Sequence, residues 1–238
     1  TAVSASASAR YARSNIYAPK PATTLLLNRE VPVEDLGILY AFAAPEASVK
    51  NQALSQILAR HLRVRAFETL RTEEQLGYAA GGGALDLYKH PMVILYIQTP
   101  VKGPQEMLDR FTAYTEEYRD ELAALPEASF EKFKAGVLTA LTEPPKNLSA
   151  EAGPFVSDWA IEHYDFDTRA KLIAAVNAAT LQDVQRFYEE TVFSEASSRI
   201  VIQLRGKRYS ERPFATVDGG VVIDDIDKFH NDMPVQAR

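Results

Sequence analysis

The run Arg71-Thr72-Glu73-Glu74-Gln75-Leu76-Gly77-Tyr78 joins a long helical pattern to a stretch of strand-forming residues. Its two ends carry strong hydrogen-bond donors, the Arg71 guanidinium and the Tyr78 hydroxyl. Both suit a peptide carbonyl or a developing oxyanion. Thr72 followed by Gln75 reads as a capping box, each side chain satisfying an orphan N–H of a short turn. Gly77 would then let the chain leave that turn at low steric cost. A corner built this way would set both donors at the rim of one cleft. The same residues also have a plain structural account. A cation is favoured near a helix C-terminus by the dipole, and Tyr78 would be an ordinary strand aromatic. The donor types alone do not choose between the two.

Other chemistry is sparse. Cysteine is absent, so there is no disulfide framework and no thiolate chemistry. The four histidines, His61, His90, His163 and His230, are isolated, none with a second histidine three or four residues away. Zinc needs converging histidine and carboxylate ligands, so no metal site is expected within this chain. His61 lies beside an apolar helical stripe and reads as a packing residue. His163-Tyr164-Asp165 reads as polarity at a helix end. No Ser/His/Asp triad is legible. Gly81-Gly82-Gly83 lacks the following Gly-Lys-Ser/Thr of a phosphate loop and reads as a flexible hairpin or a close backbone contact.

The elements that must position the corner follow from periodicity. Thr23 to Glu30 reads as a strand. Leu36 to Ala43 reads as a second, apolar on both faces and so expected to be covered on both sides. Pro45 and Ser48 punctuate the start of a helix reaching about Leu70, with Leu54, Ile57, Leu58, Leu62, Ala66 and Leu70 at helical spacing. Met92 to Thr99 is the strongest strand signal and is expected to be central. From Gln105 the pattern is helical, with Met107, Phe111, Tyr114, Tyr118 and Leu122 on one stripe. Leu125-Pro126 separates a second helix that Pro144-Pro145 must stop. Ser149 is placed to cap a third, reaching Tyr164, in which Gly153-Pro154 predicts a kink or a late start. Asp167 opens a fourth, and Thr180 with Asp183 caps a fifth. Ser198 to Arg205 alternates and returns to the sheet. Strands, helix, strands, helices and strand in that order predict an α+β fold, with a mainly antiparallel sheet and helices packed on one side.

Composition sets outer bounds. The 238 residues are 46% hydrophobic and 24% charged, close to ordinary globular usage and enough for a sizeable core. A net charge of −6 with no basic patch disfavours nucleic acid as a partner. No apolar run approaches the length of a membrane span. Residues 1–14 are rich in Ala and Ser and lack the apolar stretch of a signal peptide. Residues 1–22 read as a linker or the end of a preceding domain, 23–206 as the α+β domain, and 207–238 as a C-terminal extension packing on it.

The corner Arg-Thr-x-Glu-Gln-Leu-Gly-Tyr resembles one found in the last domain of the pitrilysin and insulin-degrading-enzyme (M16) family of zinc peptidases. Pro144-Pro145-Lys146-Asn147-Leu148-Ser149-Ala150-Glu151 is similar to the family's Lys-Pro-x-Asn-Leu-x-x-Glu segment. Trp159 with Tyr164-Asp165-Phe166-Asp167 is similar to its Trp…Tyr-x-Phe-Asp segment. The tail Phe229-His230-Asn231-Asp232-Met233-Pro234 resembles its Phe-Lys-x-x-Leu-Pro ending. The resemblance implies a sheet of about six strands and a zinc-free C-terminal domain of a metalloendopeptidase. It implies that His-x-x-Glu-His, absent here, lies upstream with the zinc, so that the chain alone is inactive. Tyr78 would donate toward the scissile carbonyl or its oxyanion, and Arg71 would hold oxygens of the substrate peptide. The partners implied are a peptide or small-protein substrate and the other M16 domains of one longer chain. Bacterial pitrilysin-like relatives imply a periplasmic location. Two other readings stay open: a non-catalytic subunit of the same fold, and a stand-alone peptide-binding module.

Overall fold

The computed structural model describes residues 16–17, 21–87, 90–232 and 235–236. The linker expected over residues 1–22 lies almost wholly outside the described residues, as do Met233 and Pro234 of the expected tail motif.

Six strands form one sheet, and their order decides what each face meets. They are β2 (Thr24–Glu30), β3 (Leu36–Ala43), β4 (Ala79–Leu87), β5 (His90–Thr99), β6 (Arg199–Arg205) and β7 (Val221–Ile223). The order across the sheet is β4-β5-β3-β6-β2-β7. The pairs β4/β5, β5/β3 and β3/β6 are antiparallel, while β2 runs parallel to both β6 and β7. Outside this sheet, β1 (Ile16–Tyr17) pairs antiparallel with β8 (Val235–Gln236).

Register explains the burial. Ile38 faces Ile97 across one pair and Gln203 across the other, and Tyr40 faces Leu95 and Val201. That set, with Leu26, Phe42 and Val93, is buried under the helices. The alternate set, Leu39, Ile94, Tyr96, Ile202 and Leu204, lies on the other face and is only partly covered. The two-sided cover expected for Leu36–Ala43 is therefore corrected. One face carries the helices, and apolar residues on the other do not make it a second core. Met92–Thr99 lies in β5, which is internal but second from the edge; β3 and β6 hold the middle.

Seven helices are seen among the described residues: α1 (Val49–Ala66), α2 (Pro104–Ala123), α3 (Glu127–Thr142), α4 (Leu148–Ala160), α5 (Thr168–Ala178), α6 (Leu181–Val192) and α7 (Ile226–Asp232). Ser48 caps α1, its hydroxyl accepting from the Asn51 amide at 3.1 Å. The stripe Leu54 to Leu70 is buried, as is the α2 stripe from Met107 to Leu122. His61 packs in this core, its Nδ1 2.9 Å from the Tyr118 hydroxyl. Thr180 and Asp183 form the capping box of α6. At α4 the cap is Asn147, whose Oδ1 accepts from the Ala150 amide at 2.9 Å, and not Ser149. The helix runs through Pro154 without a late start and ends at Ala160, short of Tyr164.

The segment after β6 is tied in by polar and apolar contacts together. Gln203, fully buried, donates to the Ala215 carbonyl at 3.0 Å and accepts from its amide at 2.8 Å. Tyr209 and Ala215 belong to the main core, and β7 adds a short edge strand.

Candidate functional site

The Arg71–Tyr78 corner is built differently from the capped turn that its sequence predicts. Beyond Ala66 the α1 ladder widens into a π-helical segment, Phe67–Glu73. Such segments carry one extra residue per turn and recur at functional sites. The segment closes with two wide backbone bonds, Glu74 N–H to the Thr69 carbonyl and Leu76 N–H to the Leu70 carbonyl, both 3.0 Å. Gln75 makes the turn, with φ +52°. A side chain in that left-handed region is uncommon and holds only where its surroundings fix it. The expected Thr72–Gln75 capping box is therefore corrected: Gln75 occupies the place that glycine often takes after a helix.

Gly77 serves close approach and not the turn, since its φ lies outside the positive region. A Cβ there would stand 2.0 Å from the Gln98 carbonyl oxygen and 3.1 Å from Ile97 Cγ1. The corner lies flat against β5 because residue 77 has no side chain. Two contacts pin it on either side. Buried Leu76 offers its carbonyl to the Thr99 hydroxyl. On the other side Arg110 of α2 donates from Nε to Glu74 Oε2 at 2.9 Å and also holds Glu117 at 2.8 Å. These bonds to Glu74 and then Glu117, set against partial burial, push the Arg110 pKa upward, so the tether stays charged.

Gly81–Gly83 belongs to β4, paired with Tyr96, Leu95 and Ile94, and is not a flexible hairpin. The close contact foreseen there is real. A Cβ at Gly82 would meet Leu62 Cγ at 2.7 Å, and one at Gly81 would meet the Tyr96 hydroxyl at 2.9 Å.

On this base the structure brings Arg71 and Tyr78 together. The Arg71 guanidinium carbon sits 4.5 Å from the Phe67 ring centroid and 5.1 Å from that of Tyr78. Stacking against ring faces is electrostatically favourable for a guanidinium and leaves its N–H edge unspent. Among the described residues, Arg71 has no hydrogen bond or ion pair, and Tyr78 is 85% exposed. The site thus offers a cation and a hydroxyl without competing protein acceptors. Sequence reasoning missed Phe67, although its i, i+4 spacing to Arg71 was legible. It also missed Arg110 and Thr99, distant in sequence and without a local signal.

The histidines do not make a zinc site among the described residues. His61 is engaged by Tyr118, and His90 Nε2 lies 2.7 Å from the Ala44 carbonyl. His163, Asp165 and Asp167 do place one ligand atom each within 4.8 Å of one another, adding Asp167 to the pair seen in sequence. His163 Nε2 and Lys171 Nζ both contact the same Asp167 oxygen, at 2.7 and 3.0 Å. An ammonium already fills the place of a cation there, and one histidine is a poor donor set for zinc.

With this geometry in view, residues 57–156 match the family described as PQQ synthase PqqF-like, C-terminal lobe domain 4. The chain is 24% identical over 188 residues to Protease 3 of Escherichia coli, covering 79% of this chain and 20% of that protein. It is 27% identical over 187 residues to the A-factor-processing enzyme of Saccharomyces cerevisiae, covering 76% and 18%. The chain thus spans about a fifth of the length of these curated relatives. Among solved structures, pitrilysin superposes with a TM-score of 0.84 at 21% identity, over 95% of this chain and 24% of that one. A peptidase M16 inactive domain from Pseudomonas fluorescens superposes at 0.57 with 10% identity, over 90% and 48%.

Proposed function

We propose that this chain, a C-terminal domain of the M16 peptidase type, closes one side of the substrate chamber of a longer zinc-dependent endopeptidase. The observation that carries the reading is the unpaired Arg71 guanidinium, stacked between Phe67 and Tyr78 at a corner pinned by Thr99 on one side and Arg110 on the other. In this reading Tyr78 donates its hydroxyl to the scissile carbonyl and strengthens that bond as the oxygen gains charge. Arg71 binds backbone or carboxylate oxygens of the peptide, in the ground state as well as the transition state. The half-covered sheet face bearing Leu39, Tyr96 and Leu204 supplies further wall. The described histidines do not fit the zinc, so no metal step is assigned to them; the His-x-x-Glu-His donors would come from another lobe. The substrates are oligopeptides and small proteins that fit the enclosure. A periplasmic location, for a bacterial pitrilysin-like enzyme, belongs to the same proposal and is checked by cell fractionation.

A non-catalytic role in the same fold has one observation in its favour, the likeness to the inactive M16 domain of Pseudomonas fluorescens. The two readings separate on one experiment. Tyr78→Phe in the full-length polypeptide keeps the ring and its stacking. Its kcat on a quenched fluorescent peptide should fall by about 10²–10³ with little change in KM. Arg71→Ala should raise KM as well. Normal turnover in a folded Tyr78→Phe enzyme would remove the proposed role.

A further inference from the structure

Helix α4 is poorly covered by the rest of the domain. Of its thirteen residues only Asp158 is buried. Leu148, Phe155, Val156 and Trp159 recur at helical spacing along the outer face, with exposures from 52% to 79%. The loop that follows adds Tyr164 and Phe166 to the same end, with the Phe166 ring 6.4 Å from that of Phe155. Two non-glycine residues in that loop, Glu162 and Phe166, hold positive φ of 61° and 54°. Glu162 ends α4 in a Schellman turn, with the His163 N–H on the Asp158 carbonyl at 2.8 Å and the Glu162 N–H on the Trp159 carbonyl at 3.1 Å, and that turn sets the loop's rings beside the end of the helix. Contiguous apolar patches with Trp, Phe and Tyr at their centre mark sites where another body docks.

We propose that this face of α4 and its following loop is the seat of another lobe of the same longer M16 polypeptide. The inference rests on the peptidase reading above and deepens it by naming the surface through which the lobes join. Length supports that occupant, because the matched relatives carry about four-fifths of their chain outside the part that this domain matches. Charge supports it too. Between residues 148 and 166 there are four carboxylates and no Lys or Arg, a poor match for an anionic membrane surface. The exposed rings are instead of the kind that fill pockets at the centre of a protein interface.

Hydroxyl-radical footprinting tests this on two samples, the 238-residue chain alone and the full-length polypeptide. Trp159, the one tryptophan of this chain, should lose at least about fivefold of its reactivity in the full-length protein, as burial at an interface core requires. Trp159→Glu should leave the melting of the isolated chain unchanged, since that side chain touches solvent, and should restore reactivity at Phe155 in the full-length protein. Equal reactivity of Trp159 in both samples would overturn the inference. So would a dimer of the isolated chain that Trp159→Glu dissolves, or retention of the chain on phosphatidylserine vesicles lost in the same variant. A coding frame with no further M16 lobe would instead overturn the peptidase reading itself, so the two failures are distinct.

Discussion

Gly77→Ala is the substitution that most directly tests how the corner is held. The added methyl would sit 2.0 Å from the Gln98 carbonyl oxygen and 3.0 Å from its carbon. Ordinary carbon–oxygen contact is more than 1 Å longer, and the obstacle is backbone of an internal strand, which cannot rotate away. Relief therefore requires the corner to lift from β5. Overpacking of this kind costs about 1–3 kcal/mol. Lifting also strips the Leu76 carbonyl from the buried Thr99 hydroxyl, which adds about 1–3 kcal/mol. Taken together, roughly 2–6 kcal/mol should be lost, or about 4–24 °C in Tm at about 2–4 °C per kcal/mol for a chain of this length. Gln75→Gly is the paired control. It removes the left-handed strain at residue 75 while freeing the unfolded chain, so it should be neutral or stabilising by up to about 1 kcal/mol. Thermal melts by circular dichroism and calorimetry measure both. A tolerated Gly77→Ala beside a damaging Gln75→Gly would refute the close-approach argument and return the turn to Gly77.

Breaking the far tether by Arg110→Met should cost about 1.5–3 kcal/mol, because charged hydrogen bonds in a partly buried site are lost and Glu74 is left unpaired. Equilibrium urea unfolding reads this out, and a change under 0.5 kcal/mol would mean Glu74 is solvated. Thr180→Ala removes the capping box of α6 and should lower stability by about 1 kcal/mol, or 2–4 °C in Tm. Burial holds the His61 pKa below its usual value, more strongly than Glu121 raises it, so the unfolded chain binds the extra proton. Stability from this group is complete above about pH 6.5 and is lost as pH falls below it. Melts between pH 7.5 and 5 should therefore show an acid-side fall in Tm that shrinks in His61→Gln, and an unchanged slope would place the His61 charge elsewhere. Hydrogen exchange should find Val93–Ile97 among the slowest amides, and rapid exchange there would contradict an internal β5.

The sequence by itself determined whatever rests on local periodicity and local caps. Leu36–Ala43 and Glu127–Thr142 follow from hydrophobic spacing and from the prolines that end them. The Thr180–Asp183 box needs only residues three apart. The adjacency of Arg71 and Tyr78 was also legible, since one short corner spans them. The tertiary structure decided what depends on partners far along the chain. Whether Gly77 served turning or close approach could be settled only by the backbone of β5, twenty-one residues on. That Gln75 bears the positive φ follows from the widening of α1 into a π-helical segment, which periodicity at 3.6 residues per turn does not register. Arg110 reaches Glu74 across thirty-six positions, and no local pattern announces it. Gly81–Gly83 looked mobile because glycine lacks a side chain to show its neighbours. Paired with β5 and pressed on Leu62, the same lack became the reason that it fits.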